Sequence, residues 1–161
     1  MNNSTKYLTQ QYQLVLSSRN VVMEYCYRLD DKLFVKLSSF NDKSISDLLV
    51  HITHVYTLWL GQFALRKKVV FAEPEKINNL EMLHQLYEGV NNLVAEFLKY
   101  AEQTSSKEIS GDAGIPPQYI TRSPFEIFTH VITHEFHHKG QILIMGRQLG
   151  LVPPDTDIIR F

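Results

Sequence analysis

Apolar residues return every three to four positions in four long stretches of this chain, and polar breaks separate the stretches. That repeat is the mark of amphipathic helices. A first helix is predicted from about residue 7 to 40, with Leu14, Val15, Val21, Val22, Tyr25 and Leu29 at helical spacings and residues 33–40 separately kinked or looped. Asn41-Asp42-Lys43-Ser44 breaks the pattern and supplies N-cap candidates for a second helix, about 44 to 66. Its stripe is Ile45, Leu48, Leu49, Ile52, Val55, Tyr56, Trp59 and Phe63. A third helix, about 79 to 101, carries Leu80, Leu83, Leu86, Val90, Leu93, Val94, Phe97 and Leu98.

Residues 102–122 are polar and interrupted by Gly111, Gly114 and Pro116-Pro117, which predicts one long loop between the third and fourth helices. The fourth helix has the clearest start. Ser123 can cap, Pro124 suits the first helical position, and Glu126 completes a capping box; Gly150 and Pro153-Pro154 end it. Four long helices without a comparable strand predict an all-α four-helix bundle. Phe128, Ile132, Phe136 and Leu143 make the back of the fourth helix apolar as well, so residues 151–161 or a second subunit should cover it.

Composition narrows the class. At 161 residues the chain is long enough for one domain, residues 1–161, with a real core. A net charge of -1 offers no footprint for nucleic acid. No apolar run approaches the ~20 residues that span a bilayer, and Met1-Asn2-Asn3-Ser4-Thr5-Lys6 is no secretory leader, so a cytoplasmic protein is expected, with no membrane partner. The single cysteine, Cys26, fits a reducing compartment and reads as a small core residue.

The chemistry concentrates in His130-Val-Ile-Thr-His134-Glu-Phe-His137-His138-Lys-Gly-Gln141. At ~100° per residue, these four histidines and Gln141 share roughly a quarter-turn of one helix face. His134 and His138, one turn apart, can chelate one divalent ion without distorting the backbone. A third ligand must come from a facing helix. His51 borders the apolar stripe of helix two, whereas His54 points further from it. In an up-down bundle helices two and four run parallel; His51 would lie ~10 Å into its helix and His134 ~16 Å into its own, compatible levels. Three neutral imidazoles leave a coordination position open, as catalytic sites do. Glu135, His130, His137 and Gln141 are candidates to orient the ligand rings.

Two other motifs compete. His134-Glu135-Phe136-His137-His138 matches the H-E-x-x-H of zinc proteases, yet no sheet is predicted to hold a peptide. Glu81-x-x-His84 and Glu135-x-x-His138 mimic the paired motif of di-iron bundles, but helix three runs antiparallel to helix four and inward carboxylates on helices one and two are lacking.

Leu48-Leu49-x-His51-Ile52 with Trp59 eight residues after the histidine, the run from His130 to Gln141, and the closing Gly150…Pro153-Pro154-x-Thr-Asp157 together resemble the DinB/YfiT-like metalloenzyme family. The resemblance covers essentially the whole chain. It implies a four-helix bundle, often a homodimer, with the metal on His51, His134 and His138. Lys139 stands where arginine is common, which keeps the charge and loses the planar fork. Family members of known activity include thiol-dependent transferases and isomerases. The expected function is thus a metal-dependent, thiol transferase-like enzyme acting on a small molecule. Its ion is zinc or nickel foremost, with iron or manganese as alternatives, and a low-molecular-weight thiol is the co-substrate. A metal-dependent hydrolase and a non-catalytic, stress- or damage-inducible metal-binding protein are the alternatives.

Overall fold

Local signals set most of the helix ends. The computed structural model describes residues 3–38, 42–104 and 107–160. Helix α1 (Asn3–Cys26) is followed by the single turn α2 (Asp31–Phe34), which Asp30 caps and which drives Phe34 into the core. The first helix is therefore shorter than its apolar pattern suggests, and residues 39–41, the end of that stretch and the first residue of the expected break, lie outside the described residues. Helix α3 (Ile45–Tyr56) starts on a capping box between Ser44 and Asp47. It continues as a π-helix, Thr57–Ala64, closed by a hydrogen bond from Leu65 N to Leu60 O at 3.0 Å. The wider π turns shift the buried face, so Leu60 and Phe63 enter the core while Trp59 stays half-exposed. Asn79 caps α4 (Leu80–Gln103), and the expected Ser123–Glu126 capping box opens α5 (Pro124–Gln148).

The expected loop after α4 is instead an antiparallel hairpin of β1 (Ile109–Ala113) and β2 (Gln118–Arg122), with Ile109 opposite Arg122. Gly114 and the two prolines, which signalled a loop, are its turn; Gly114 has φ +87°. The strands carry the β-favouring Ile109, Tyr119, Ile120 and Thr121. Gly111 sits inside β1 because the Arg66 guanidinium, which donates to Ser110 O, occupies the space where a Cβ would go.

Helix directions follow from paired contacts. As α3 proceeds from His51 through Tyr56 to Trp59, its partners on α5 retreat from His138 through Glu135 to His130, so the two run antiparallel. Along α1, by contrast, Tyr12, Arg19 and Tyr25 meet Phe128, Glu135 and Gly146 of α5 in parallel order. Gly146 admits the Tyr25 ring, which a Cβ would strike. Helix α4 runs parallel to α3, with Tyr87 at Leu49 and Leu93 at Gly61. The order is up, down, down, up, and the expected parallel relation of the second and fourth long helices is reversed. The cause is the connection over residues 65–79, which at ~3.3 Å per residue is long enough to run back along a helix. It is pinned on the way by Ser46 Oγ donating to Ile77 O at 2.7 Å and by His54 Nε2 against Ala72 O at 2.8 Å. The histidines lie mid-helix, so they meet in either direction.

The core runs between the four long helices through Val15, Leu49, Ile52, Leu83, Phe97, Ile127, Phe128 and Ile142. Phe128 and Ile132 on the back of α5 are buried, Phe136 and Leu143 half-buried. The C-terminal segment follows Gly150 (φ +89°) and fastens to α1, where Ser18 Oγ donates to Thr156 O and Tyr25 Oη to Leu151 O.

Candidate metal centre

Helix α5 turns His134 and His138 toward α3, and α3 turns His51 toward them. The ring centroids lie 5.1 Å (His51–His134), 4.8 Å (His51–His138) and 4.5 Å (His134–His138) apart. One ligand nitrogen from each falls within 4.8 Å of the other two, a spread that small side-chain rotations close onto a single ion. No other group of three or more histidine, cysteine or acidic side chains among the described residues converges this way.

Gln141 fixes one member. His138 Nδ1 lies 2.8 Å from Gln141 Oε1, an acceptor, so Nδ1 carries the proton and Nε2 keeps its lone pair for a metal. The amide nitrogen of Gln141 in turn points to His137 Nε2 at 3.3 Å. His130 lies on the other side of His134, ring centroids 5.7 Å apart, and packs edge-on against Trp59 at 5.1 Å. Trp59 also meets Phe63 at 5.4 Å, so the π-helix builds an aromatic wall on this flank. On the opposite flank a cavity of about 360 Å³ opens onto His51 and His138, bordered by Lys43, Asp47, His54, Pro74 and Gln141.

Partial desolvation favours the neutral form of His51, His130, His134 and His138, and repulsion between rings adds to it at His51, His134 and His138. Desolvation is the first cause of the lowered pKa at His51, His138 and His130, and it pushes His134 down to about 4 with added repulsion from its four neighbours. Neutral rings are the competent ligands. A stability prediction follows for the metal-free protein. Below the ordinary imidazole pKa of ~6.5 the unfolded chain takes up protons that the folded chain refuses. Stability contributed by the depressed groups is therefore present above pH ~6.5 and lost as pH falls toward about 4, the His134 value. Thermal unfolding scans from pH 7 to 4 should show a falling midpoint, and His134→Gln should flatten that slope.

Glu135 does not take the place expected of it. Its side chain faces away from the rings and binds Arg19 through Nε at 2.9 Å and Nη2 at 2.8 Å, accepts from Tyr56 Oη at 2.6 Å, and has Lys139 Nζ at 3.5 Å. Burial alone would raise its pKa; Arg19, Lys139 and the Tyr56 hydroxyl outweigh that and keep the carboxylate charged. An engaged carboxylate on the far side of the helix is no general base for the H-E-x-x-H motif. His54 is spent on Ala72 O and packs on Phe71. His84, on the exposed side of α4, meets Tyr27 and is apart from the triad, so the di-iron spacing is coincidental. Sequence reasoning missed Arg19 and Tyr56.

The whole chain, residues 1–161, matches the sequence model of the DinB family. This protein belongs to the DinB family. Among curated proteins it is similar to the uncharacterized protein YizA of Bacillus subtilis, 24% identical over 139 residues that cover 84% of this chain and 83% of that protein. Among solved structures it resembles a DinB-like protein of Bacillus subtilis, YjoA, with a TM-score of 0.61, 19% identity, and coverage of 89% and 96% of the two chains. That likeness concerns the fold. For this DinB-family chain, its own atoms test whether a metal fits: His134 Nδ1 is buried with no hydrogen-bond partner, an arrangement that costs free energy unless a partner binds there or at the ring's other nitrogen. The donor set, three neutral imidazoles, suits zinc, nickel or iron better than a hard oxygen-seeking ion.

Proposed function

We propose that this protein is a metal-dependent enzyme that transfers a low-molecular-weight thiol to a small electrophile, with a divalent ion, zinc or nickel first, held by His51, His134 and His138. The convergence of three neutral imidazoles, two of which line a cavity, supports this reading above all else. Three histidines leave a coordination position free, the arrangement of catalytic rather than structural sites. The ion supplies Lewis acidity that lowers the pKa of a thiol entering the cavity. The chain's own residues do the rest. Gln141 keeps the His138 proton on Nδ1, and the cavity has room for a compact guest beside His51 and His138. The aromatic wall of Trp59 and Phe63 shields the opposite flank.

The test uses purified protein loaded with zinc or nickel, a panel of common cellular thiols, and monochlorobimane, whose carbon accepts the sulfur as chloride leaves. Turnover with at least one thiol that disappears on metal removal is expected. No turnover with any thiol, together with metal-dependent cleavage of activated esters, would make the protein a hydrolase. Metal binding with neither activity would make it a binding protein.

A further inference from the structure

Behind the triad lies a second polar cluster that the proposed chemistry does not use. Arg19, Glu135 and Lys139 are 4%, 1% and 2% exposed, a charged group in the middle of an apolar bundle. Around the Glu135 carboxylate all four long helices meet. Arg19 grips it from α1 and passes its Nη1 to Asn91 Oδ1 of α4 at 2.9 Å; Tyr12 Oη donates to the same Asn91 oxygen at 2.8 Å. Lys139 reaches Ser18 Oγ at 3.0 Å. Of these bonds, Tyr56 Oη to Glu135 Oε2 directly joins α3 to α5, the two helices that carry the ligand histidines.

A cluster of this kind is weak evidence for stability, since well-packed apolar side chains of the same volume often do as well or better. Directional bonds supply something apolar contacts do not, a single preferred rotation for each helix. Glu135 immediately follows His134, and Tyr56 lies five residues beyond His51. At a side-chain radius of ~5–6 Å, turning a helix by ~10° moves a ring by roughly 1 Å. Binding constellations tolerate about half of that.

We propose that the buried Tyr56–Glu135 hydrogen bond, keyed by Arg19, is the clamp that sets the rotation of α3 against α5 and thereby brings His51 into register with His134 and His138. Tyr56 and Glu135 are positioning residues for the metal site. The proposal rests on the metal reading above.

Tyr56→Phe removes only the hydroxyl that closes the clamp. Tyr87→Phe is the matched control: its hydroxyl donates to Leu49 O at 3.2 Å in the same interior and its ring faces Arg19, yet it joins α4 to α3 and leaves α5 untouched. Zinc affinity is measured by competition with a chelator at pH 7. In the metal-free proteins, the magnetization-transfer signal between the His51 and His138 rings is measured by NMR. Tyr56→Phe, which touches no ligand and acts through helix rotation, should weaken zinc binding by about 10-fold, the low end of the loss when a ligand's own partner is removed, and should weaken the ring-to-ring signal. Tyr87→Phe should leave both within about twofold, a change of no more than ~0.4 kcal/mol. Unchanged zinc affinity in Tyr56→Phe, or equal weakening in both variants, overturns the clamp. If the unaltered protein binds no zinc, the metal reading fails by itself. The ring-to-ring signal then still decides the clamp, and an unchanged signal in Tyr56→Phe overturns it.

Discussion

His134→Ala is expected to weaken zinc binding by roughly 100- to 1000-fold while leaving the metal-free protein folded. Zinc held by four ligands is worth roughly 10–16 kcal/mol, so each ligand carries about 2.5–4 kcal/mol, two to three decades in affinity. His134 should stand at the upper end, because its ring sits between His130 and His137, 4.5 Å from His138, and its buried Nδ1 has no other partner. The fold should tolerate the loss, since the substitution deletes a buried Nδ1 that has no hydrogen-bond partner and a ring with its pKa pushed down to about 4. Chelator competition and unfolding scans with and without zinc read both effects. His84→Ala, on the exposed side of α4, should match the unaltered protein. Wild-type affinity in His134→Ala would remove this residue from the site.

Arg19→Ala should produce the largest loss of stability of any single change considered, about 3–5 kcal/mol. Removing the guanidinium strands the Glu135 carboxylate in the core with Lys139 Nζ at 3.5 Å as its remaining cation. It also strips Asn91 of a donor and takes the cation from the face of Tyr87, 4.7 Å from its ring centre. For a chain of this size that loss corresponds to a fall of roughly 6–20 °C in the unfolding midpoint. A fall below ~3 °C would mean that Lys139 alone satisfies the carboxylate.

The sequence made the helices, the Ser123–Glu126 capping box, the N-cap region at Ser44 and the histidine face legible, because each rests on short-range spacing. His134 and His138 are neighbours by helical repeat alone, and His51 was reachable from its place beside an apolar stripe. What spacing does not carry is direction. The antiparallel relation of α3 and α5 depends on how residues 65–79 travel, and that path is decided by tertiary anchors at Ser46 and His54. The hairpin was obscured because its turn residues outweighed two five-residue strands. Arg19 left a signal that went unused: it falls four residues after Val15 and three before Val22, a cation on the buried face of α1. Glu135 is next to His134 in sequence and was expected to orient the ligand rings, but one helical step of ~100° turns it to Arg19 and Tyr56 instead.

The order of the helices also sets a schedule. The two sides of the site, joined where Tyr56 meets Glu135, are 79 residues apart in the chain. A growing chain that stops short of α5 has one of the three histidines and neither the carboxylate nor its lysine. Helix α3 must wait, packed beside α4, until the last long helix arrives to close the bundle. When it does, the Arg19–Glu135–Tyr56 bonds involve protein atoms alone, so they can lock without any ion. Under the proposed function the metal would enter a folded apoprotein, unlike small zinc modules that fold only around the ion. Its binding would then add stability by mass action on a structure already made.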